Sequence, residues 1–230
     1  MKPLTLTGLK KKMNDGFSLD IPSFTFAENV SSVVGNNGAG KTTLLSLICG
    51  IRRKDDGEIY YDGIPLNEKN SEWWKLRMAA YLDESFMFDY YTVIEHFELV
   101  AGAWRITGDI LKEKMETYAP YFNIESYMNT RIAALSYGNK KKAGMMATLI
   151  PDVEVIIWDE PFSGLDVKSQ ELMKRLIDET KDKRKIILSS NDIFNTAEIS
   201  EETMILENGR LKDHIKEKPT YMHLKTQLTQ

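Results

Sequence analysis

The chain has 230 residues, a formal net charge of −4 and a hydrophobic fraction of 42%. Its acidic balance argues against a general nucleic-acid-binding protein, because such proteins usually carry a surplus of basic residues. No apolar run approaches the ~20 residues that span a bilayer, so we expect any membrane role to require a separate partner. The only cysteine, Cys49, excludes a disulfide within the chain and favours a reducing compartment.

Short strands are predicted first along the chain. Residues 24–26 alternate in hydrophobicity, and residues 30–34 are rich in β-branched side chains. A glycine-rich turn follows at Gly35, and from Lys41 the apolar spacing becomes helical. The pair Asp62-Gly63 then indicates a hairpin turn.

The stretch from about 86 to about 150 differs in composition from the segments around it. It is rich in Met, Tyr and Phe and is predicted to be mainly helical, with Thr92 and Glu95 matching a capping box. We interpret this stretch as a helical subdomain inserted into the core of a single domain that spans residues 1–230.

The α/β pattern resumes after the helical stretch. Residues 155–158 form a continuous apolar run, which predicts a buried parallel strand. A helix around 169–180, a strand at 186–190 and a hairpin turn at Asn208-Gly209 are predicted to follow, and the tail after Lys216 shows no pattern. The alternation indicates an α/β fold with a mostly parallel sheet and an antiparallel β portion at the N-terminal end.

Residues 35–42, with the sequence Gly-Asn-Asn-Gly-Ala-Gly-Lys-Thr, match the Walker A pattern for nucleotide phosphates. Glycines allow backbone N–H groups to converge on a phosphate, and the following helix directs its positive end toward it. Lys41 is predicted to contact the β- and γ-phosphates, and the Thr42 hydroxyl is predicted to ligate Mg²⁺. The predicted nucleotide-binding residues are Gly35, Asn36, Asn37, Gly38, Ala39, Gly40, Lys41, Thr42 and Thr43.

Two adjacent carboxylates, Asp159 and Glu160, follow the apolar run at 155–158. An acidic residue after such a strand can hold Mg²⁺, so Asp159 is the predicted Walker B aspartate. Glu160 is then predicted to polarise the attacking water. Because the carboxyl ends of parallel strands form ligand crevices, we expect the Walker A loop and this pair to share one crevice.

Further motifs accompany these two. Residues 135–139, Leu-Ser-Tyr-Gly-Asn, resemble the signature motif LSGGQ, and residues 159–161 resemble the extended Walker B motif. Residues 163–166 resemble the D-loop, and residues 81–84 occupy the position of the Q-loop. In this order and spacing, the motifs make the chain similar to the nucleotide-binding subunits of ATP-binding cassette (ABC) transporters, with a P-loop NTPase core, over roughly residues 4–215.

The resemblance implies that ATP and Mg²⁺ are the ligands and that two subunits enclose two ATP molecules head to tail. The signature of one subunit would then face the ATP bound to the other, with Ser136 and Gly138 on the γ-phosphate. The implied signature residues are Ser136, Tyr137, Gly138 and Asn139. The resemblance also implies that Asp166 is a site residue, as part of the D-loop. The implied magnesium ligands are Thr42, Glu84 and Asp159.

The implied partners are a second ABC subunit, either a copy of this chain or a related one, and a separate transmembrane permease. Opening and closing of the subunit pair would drive the permease between states, because ATP binds one state better than the other. The chain would therefore be cytoplasmic and peripheral, held on the inner face of the cell membrane by the permease. No nucleic-acid partner is expected. The alternative function is that of a soluble or regulatory ABC ATPase with slow turnover.

Three departures from the family pattern bear on catalysis. In the signature, Tyr137 replaces a glycine and Asn139 replaces the glutamine, and in the Q-loop Glu84 replaces glutamine. After the strand at 186–190 the family places a switch histidine, whereas this chain has Asn191, which can donate hydrogen bonds but cannot carry a positive charge. We hypothesise slow hydrolysis with preserved ATP binding. The predicted catalytic residues are Lys41, Glu160 and Asn191.

Some assignments stay open on the sequence alone. The side chain that stacks on adenine is either Met13 or Phe17. Residues 86–91 are aromatic and Met-rich, which suits either docking of a permease helix or packing in the core, and the same choice applies to Trp73-Trp74. The basic runs at 10–12, 52–54, 140–142 and 181–185 are expected to be mostly solvated surface.

Overall fold

The computed structural model of the protein describes residues 2–229. The strands are β1 (Leu4–Lys12), β2 (Ser18–Phe26), β3 (Val30–Val34), β4 (Asp56–Tyr61), β5 (Ile64–Pro65), β6 (Met78–Tyr81), β7 (Val155–Trp158), β8 (Lys185–Ser190), β9 (Glu202–Glu207) and β10 (Arg210–Ile215). The helices are α1 (Lys41–Ile48), α2 (Ser71–Lys75), α3 (Val93–Ala103), α4 (Gly108–Phe122), α5 (Tyr137–Ala147), α6 (Val167–Thr180), α7 (Ile193–Ile199) and α8 (Tyr221–Thr229).

The strands of residues 2–229 form one sheet in the order β5-β4-β1-β2-β10-β9-β3-β8-β7-β6. The neighbouring strands from β9 to β6 in this order pair in parallel. Strands β4, β1 and β2 pair antiparallel and form the N-terminal portion. One parallel pairing, Arg210 with Asp20, joins this portion to the β9–β10 hairpin. The predicted α/β fold with a parallel core and an antiparallel portion is confirmed.

Both predicted hairpin turns are present. Asp62 and Gly63 have φ values of 54° and 75°, and Asn208 and Gly209 have values of 48° and 77°. Positive φ at both central residues is characteristic of the type I′ turn, in which Asp-Gly and Asn-Gly are favoured. These turns join β4 to β5 and β9 to β10.

Apolar side chains cover both faces of the sheet. In β7, Ile156 and Trp158 belong to one core cluster, whereas Val155 and Ile157 belong to another. This division follows from the two-residue period of a strand. Because every residue of β7 is buried, the strand is covered on both faces, as predicted for a parallel strand.

Three α-helices, α3, α4 and α5, lie between β6 and β7 along the chain. Helix α3 begins with the predicted capping box: the Glu95 N–H donates to Thr92 Oγ1 at 3.3 Å, and the Thr92 N–H donates to Glu95 Oε2 at 2.7 Å. Phe97 of α3 packs in the same core cluster as Trp158 of β7. We propose that residues 86–150 are the inserted helical subdomain and that it shares its core with one face of the sheet.

The tail after Lys216 contains helix α8, which the sequence pattern did not predict. Leu224 is the buried residue of this helix, and it packs against Val34 and Ile205. One buried position is too few to give a helical hydrophobic period. No helix within residues 2–229 combines the length and the apolarity that a membrane span requires.

Four segments with candidate functional residues leave the sheet at the same edge. The Walker A loop follows β3, and Asn191 follows β8. The acidic pair follows β7, and Glu84 lies just after β6. Since β8 lies between β3 and β7, Asn191 lies between the Walker A loop and the acidic pair. Glu84 leaves from the outermost of these four strands.

Candidate active site

The loop between β3 and α1 is shaped by its glycines. A Cβ atom on Gly35 would lie 2.2 Å from the backbone oxygen of Leu206, so a larger residue does not fit beside β9. Gly38 and Gly40 have φ values of 80° and 102°, which residues with a Cβ rarely adopt. Gly40 precedes α1 without any side-chain cap, so the first backbone N–H groups of the helix stay available for an anion.

Lys41 is the first residue of α1 and is only 6% exposed. Its Nζ donates to the backbone oxygens of Gly35 at 2.8 Å and Asn36 at 3.4 Å. It also donates to Asn191 Oδ1, and it lies 3.3 Å from Glu160 Oε1 in an ion pair. The ammonium group is thus surrounded by oxygen atoms that phosphate oxygens would have to replace.

Asp159 follows β7 and is buried. Its two carboxylate oxygens accept hydrogen bonds from the hydroxyls of Thr42 and Ser189. Within residues 2–229, no group of three or more His, Cys, Asp or Glu side chains is placed to hold a metal ion. A hydroxyl oxygen and a carboxylate oxygen that meet at one point do fit Mg²⁺, which usually takes one or two carboxylates together with phosphate oxygens and waters.

Glu160 has a left-handed backbone, with φ at 49°. This conformation is unfavourable for a residue with a Cβ, so neighbouring contacts have to hold it. The Glu160 N–H donates to Ser189 Oγ at 2.9 Å, and Oε2 accepts the backbone N–H of Asn191 at 3.0 Å. The other carboxylate oxygen, Oε1, is buried and accepts no hydrogen bond from the described residues, so its contact with Lys41 is purely ionic. Its free lone pairs suit a group that accepts a proton from water.

Asn191 joins the two sides of the site. Its backbone N–H donates to Glu160, its Oδ1 accepts from Lys41, and its Nδ2 donates to Asn37 Oδ1 at 2.6 Å. The structure therefore brings the three predicted catalytic residues into direct contact. Both polar atoms of the Asn191 side-chain amide therefore form hydrogen bonds within this cluster.

An open cavity of about 650 Å³ adjoins these residues, a volume typical of small-molecule sites. Met13 and Phe17 both line it, so both candidates for adenine stacking lie at the site. The cavity is lined by Met13, Asp15, Phe17, Asn37, Gly38, Ala39, Gly40, Lys41, Thr42, Thr43, Tyr137, Glu160, Ser163 and Asn191.

The signature residues lie at the start of α5. Ser136 caps this helix, since the Asn139 N–H donates to its Oγ at 3.3 Å. A Cβ atom on Gly138 would lie 2.9 Å from the backbone oxygen of Gly164, so the signature closely approaches the D-loop. Tyr137 is 54% exposed and lines the cavity of its own chain. Ser136, Gly138 and Asn139 are not among the residues that line it.

Two of the predicted site residues have other partners in the structure. Asp166 caps α6, and hydrogen bonds from the N–H and the hydroxyl of Ser169 lower the pKa of Asp166 to about 2. Glu84 accepts a hydrogen bond from the Tyr81 hydroxyl at 3.2 Å and does not line the cavity. Thr42 and Asp159 are thus in direct hydrogen-bond contact, whereas the hydrogen-bond partner of Glu84 is Tyr81.

Ser189, Lys141 and Lys142 lie in or beside the site region but were not predicted as site residues. Ser189, which contacts both members of the acidic pair, lies inside an apolar strand pattern that gives no functional signal. Lys141 is 2% exposed, and Lys142 is 6% exposed. These two, together with Arg184 and Lys185, are buried exceptions to the expectation that the basic runs are mostly solvated surface. A run of basic residues shows charge but not the contacts that bury it.

The sequence matches a family model described as ABC transporter over residues 19–163. This chain belongs to the ABC transporter family. Its fold is that of the ATP-binding cassettes of this family, with a P-loop NTPase core. The family thus accounts for Walker A residues and Glu160 at one cavity.

Two relatives illustrate how far the similarity extends. The ABC transporter ATP-binding protein NatA of Bacillus subtilis is 26% identical over 214 residues, which are 90% of this chain and 87% of NatA. ABC transporter A family member 11 of Dictyostelium discoideum is 28% identical over 215 residues, which are 90% of this chain but only 25% of that protein. This ABC cassette thus spans most of the length of one relative and a quarter of the other.

Solved structures agree with the fold of this cassette. The structure of an ATP-binding subunit of an ABC transporter superimposes with a TM-score of 0.85 and 23% identity, covering 99% of both chains. The dimeric structure of a bacterial ABC transporter cassette gives a TM-score of 0.81 and 20% identity, covering 92% of this chain and 97% of the other.

Proposed function

We propose that this cassette binds and hydrolyses ATP at a composite site between two subunits and thereby powers a separate transmembrane permease. The observation that carries the proposal is the direct contact of Lys41, Glu160 and Asn191 beside the Walker A loop. Residues 35–43 would bind the phosphates, with Lys41 exchanging its present oxygen partners for phosphate oxygens. This exchange would release the Glu160 carboxylate from its ion pair.

The chemistry proposed for the site divides between neighbouring side chains. Glu160 would accept a proton from the attacking water through Oε1, the carboxylate oxygen without a hydrogen bond. Thr42 and Asp159 would hold Mg²⁺, which neutralises charge on the β- and γ-phosphates when bound. Glu84, in the loop after β6, would contribute the second carboxylate ligand of Mg²⁺. Asn191 would donate its amide N–H to the γ-phosphate in place of Asn37.

A second subunit would complete the site through its signature residues. In this chain, Ser136 is exposed and Gly138 and Asn139 are half-buried, and none of the three lines the cavity beside the Walker A loop, so a second molecule could reach them. They lie at the start of α5, where helix N–H groups attract anions. The dimeric structure of a related-fold cassette supports a second cassette, whether a copy or a related chain, as the partner.

Ser136 gives a test of the composite site. The Ser136→Asp variant keeps a good helix-capping residue but places a negative charge where the partner's γ-phosphate would lie. Ser136→Asn is the matched neutral variant, since asparagine caps helices equally well. We expect ATP to convert the wild-type chain and Ser136→Asn to dimers in analytical ultracentrifugation, and to leave Ser136→Asp monomeric.

Binding of ATP to the single subunit should not change in this experiment. The dissociation constant of a fluorescent ATP analogue for Ser136→Asp is expected to stay within about twofold of wild type, because the phosphate loop of the same chain is untouched. If Ser136→Asp dimerises with ATP as well as Ser136→Asn does, the signature does not face a partner's nucleotide.

A groove between the sheet edge and the inserted helices is the proposed contact with the permease. A cavity of about 250 Å³ there is lined by residues of β6, α3 and α5 and by Phe86 and Met87. Phe86 and Phe88 are 50% and 55% exposed, whereas Met87 is buried. Exposed aromatic side chains beside an apolar groove suit an amphipathic helix from the permease. Trp74 is buried in the cluster on the other face of the sheet, so it does not form this groove.

The double variant Phe86→Ala, Phe88→Ala tests the proposed docking. We expect the variant to fold and to bind ATP normally. In a pull-down from solubilised membranes of the source organism, it should recover about tenfold less membrane subunit than the wild type, because two exposed aromatic anchors are lost. The matched control is Ile110→Ala, Met222→Ala, which removes two exposed apolar side chains elsewhere. Equal recovery with the two double variants would contradict docking at this groove. With docking, the cassette would lie on the inner, cytoplasmic face of the cell membrane.

A further inference from the structure

Lys141 lies in α5, just after the signature residues, and is 2% exposed. Its Nζ donates to the backbone oxygens of Glu160 at 2.8 Å and Ser163 at 3.1 Å. The Tyr137 ring lies beside the same ammonium group, with 5.2 Å between Nζ and the ring centroid. The partners of this buried cation are therefore two carbonyl groups and an aromatic ring.

A buried ammonium group that lacks a carboxylate in direct contact is unfavourable, because it has lost its water. Burial lowers the pKa of Lys141, and the negative charges of Glu84, Glu160 and Asp159 oppose this effect. Because this placement is unfavourable, we infer that the contacts of Lys141 hold the loop after β7 in its conformation and do not stabilise α5 alone.

The carbonyl group that Lys141 holds belongs to the residue with the strained backbone. The φ of Glu160 is 49°, and its N–H is held by Ser189. Lys141 holds the carbonyl of the same residue, so both backbone polar groups of Glu160 are fixed. A fixed backbone sets the direction in which the Glu160 carboxylate leaves the chain, toward Lys41 and Asn191.

Two further contacts, besides those of Lys141, join α5 to the loop after β7. Gly138 approaches the Gly164 carbonyl too closely for a Cβ atom, and Lys142 Nζ lies 3.7 Å from Asp166 Oδ2. The start of α5 and the loop that follows β7 therefore move together or lose these contacts together.

We propose that Lys141 is a positioning residue for ATP hydrolysis, which fixes the backbone of Glu160 and connects the signature helix to the carboxylate that activates water. The inference rests on the proposed role of Glu160. A shift of α5 on contact with a second subunit would reach Glu160 through this hydrogen bond. Lys141 acts through Glu160 and does not itself contact the nucleotide.

The Lys141→Met variant removes both hydrogen bonds and keeps a long, unbranched side chain. We expect kcat for ATP hydrolysis to fall by about tenfold or more, because the base is no longer aligned. The KM for ATP and the dissociation constant of a fluorescent ATP analogue should stay within about twofold, since the residues that bind phosphate are unchanged. Lys140→Met is the matched control, because Lys140 is the adjacent lysine and pairs with Asp89, outside the site. It is expected to keep the wild-type kcat.

Conservative variants separate positioning from a merely structural role. Lys141→Arg keeps donors for two carbonyls and should recover part of the lost kcat. Lys141→Gln keeps one donor group and should give an intermediate kcat, and it carries the test if Lys141→Met does not fold. A fall in ATP affinity and thermal midpoint together with kcat, without recovery in Lys141→Arg, would overturn the proposal in favour of a structural role.

Glu160→Gln, measured in parallel, separates this inference from the proposed function. If Glu160→Gln hydrolyses ATP at the wild-type rate, the proposed role of Glu160 is wrong. If Glu160→Gln is inactive and a folded Lys141→Met or Lys141→Gln variant keeps the wild-type kcat, only the positioning role is wrong. The Lys141→Met, Glu160→Gln double variant should be no slower than Glu160→Gln, because the two changes affect one carboxylate.

Discussion

Replacing Glu160 by glutamine is expected to lower the rate of ATP hydrolysis by about 10²–10⁴-fold, the range typical for loss of a general base. Glutamine has nearly the same shape and can still accept the backbone N–H of Asn191, so the loop after β7 should keep its conformation. It cannot accept the proton of the attacking water. The rate is measured as phosphate release under single-turnover conditions with the cassette in excess over ATP.

ATP binding should be preserved or strengthened in Glu160→Gln. The Glu160 carboxylate pairs with Lys41, and a negative charge in this place would repel the γ-phosphate. Its removal frees the ammonium group and reduces the repulsion. We therefore expect the ATP-bound dimer of Glu160→Gln to persist during gel filtration, whereas the wild-type dimer dissociates as ATP is consumed.

Glu207→Gln is the matched control for this experiment. Glu207 ends β9, forms an exposed ion pair with Lys212 and does not line the cavity that Glu160 lines, so the same change there alters the net charge equally while the contacts of Glu160 stay unchanged. Its hydrolysis rate should equal that of wild type. A Glu160→Gln rate within about twofold of wild type would show that another group activates the water.

The sequence predicts most of this fold because its signals are local. The apolar run of β7, the helical period after Lys41 and the two Xaa-Gly turns each depend on neighbouring residues. Helix α8 has a single buried residue, Leu224, and therefore shows no period. The same limit applies to Lys141, whose burial results from contacts with a loop far along the chain.

The candidate site likewise contains residues that local motifs predict and contacts that only the folded chain shows. The Walker A loop and the acidic pair are contiguous motifs, so their residues could be named from the sequence. The order of the strands placed Asn191 between them, and only the structure shows that its amide bonds to Lys41 and Asn37. The location of Glu84 beside Tyr81 depends on the path of the loop after β6, which no local pattern predicts.

Asn191→His is expected to raise the single-turnover rate of ATP hydrolysis by about tenfold or more, corresponding to one hydrogen bond from a charged donor. A protonated imidazole can give the γ-phosphate a positively charged donor, which the neutral amide of asparagine cannot. The change also removes the amide oxygen that Lys41 contacts. The ammonium group then has one competing partner fewer when phosphate arrives.

Asn191→Gln is the control for this variant, because it changes the length of the side chain but not its charge. It should hydrolyse ATP no faster than wild type, and both variants should bind ATP within about threefold of wild type. Equal single-turnover rates for wild type and Asn191→His would contradict the hypothesis that Asn191 makes hydrolysis slow.

The absolute rate of the wild type bears on the choice between the two candidate functions. A cassette that stays slow when its membrane partner is present, and speeds up only as Asn191→His, fits the regulatory alternative, in which ATP binding rather than turnover controls the dimer. A wild type that the permease accelerates well above the Glu160→Gln background fits a transport ATPase. The backbone N–H of Asn191 already holds Glu160 in either case, so the substitution changes the side-chain contacts while leaving this hydrogen bond in place.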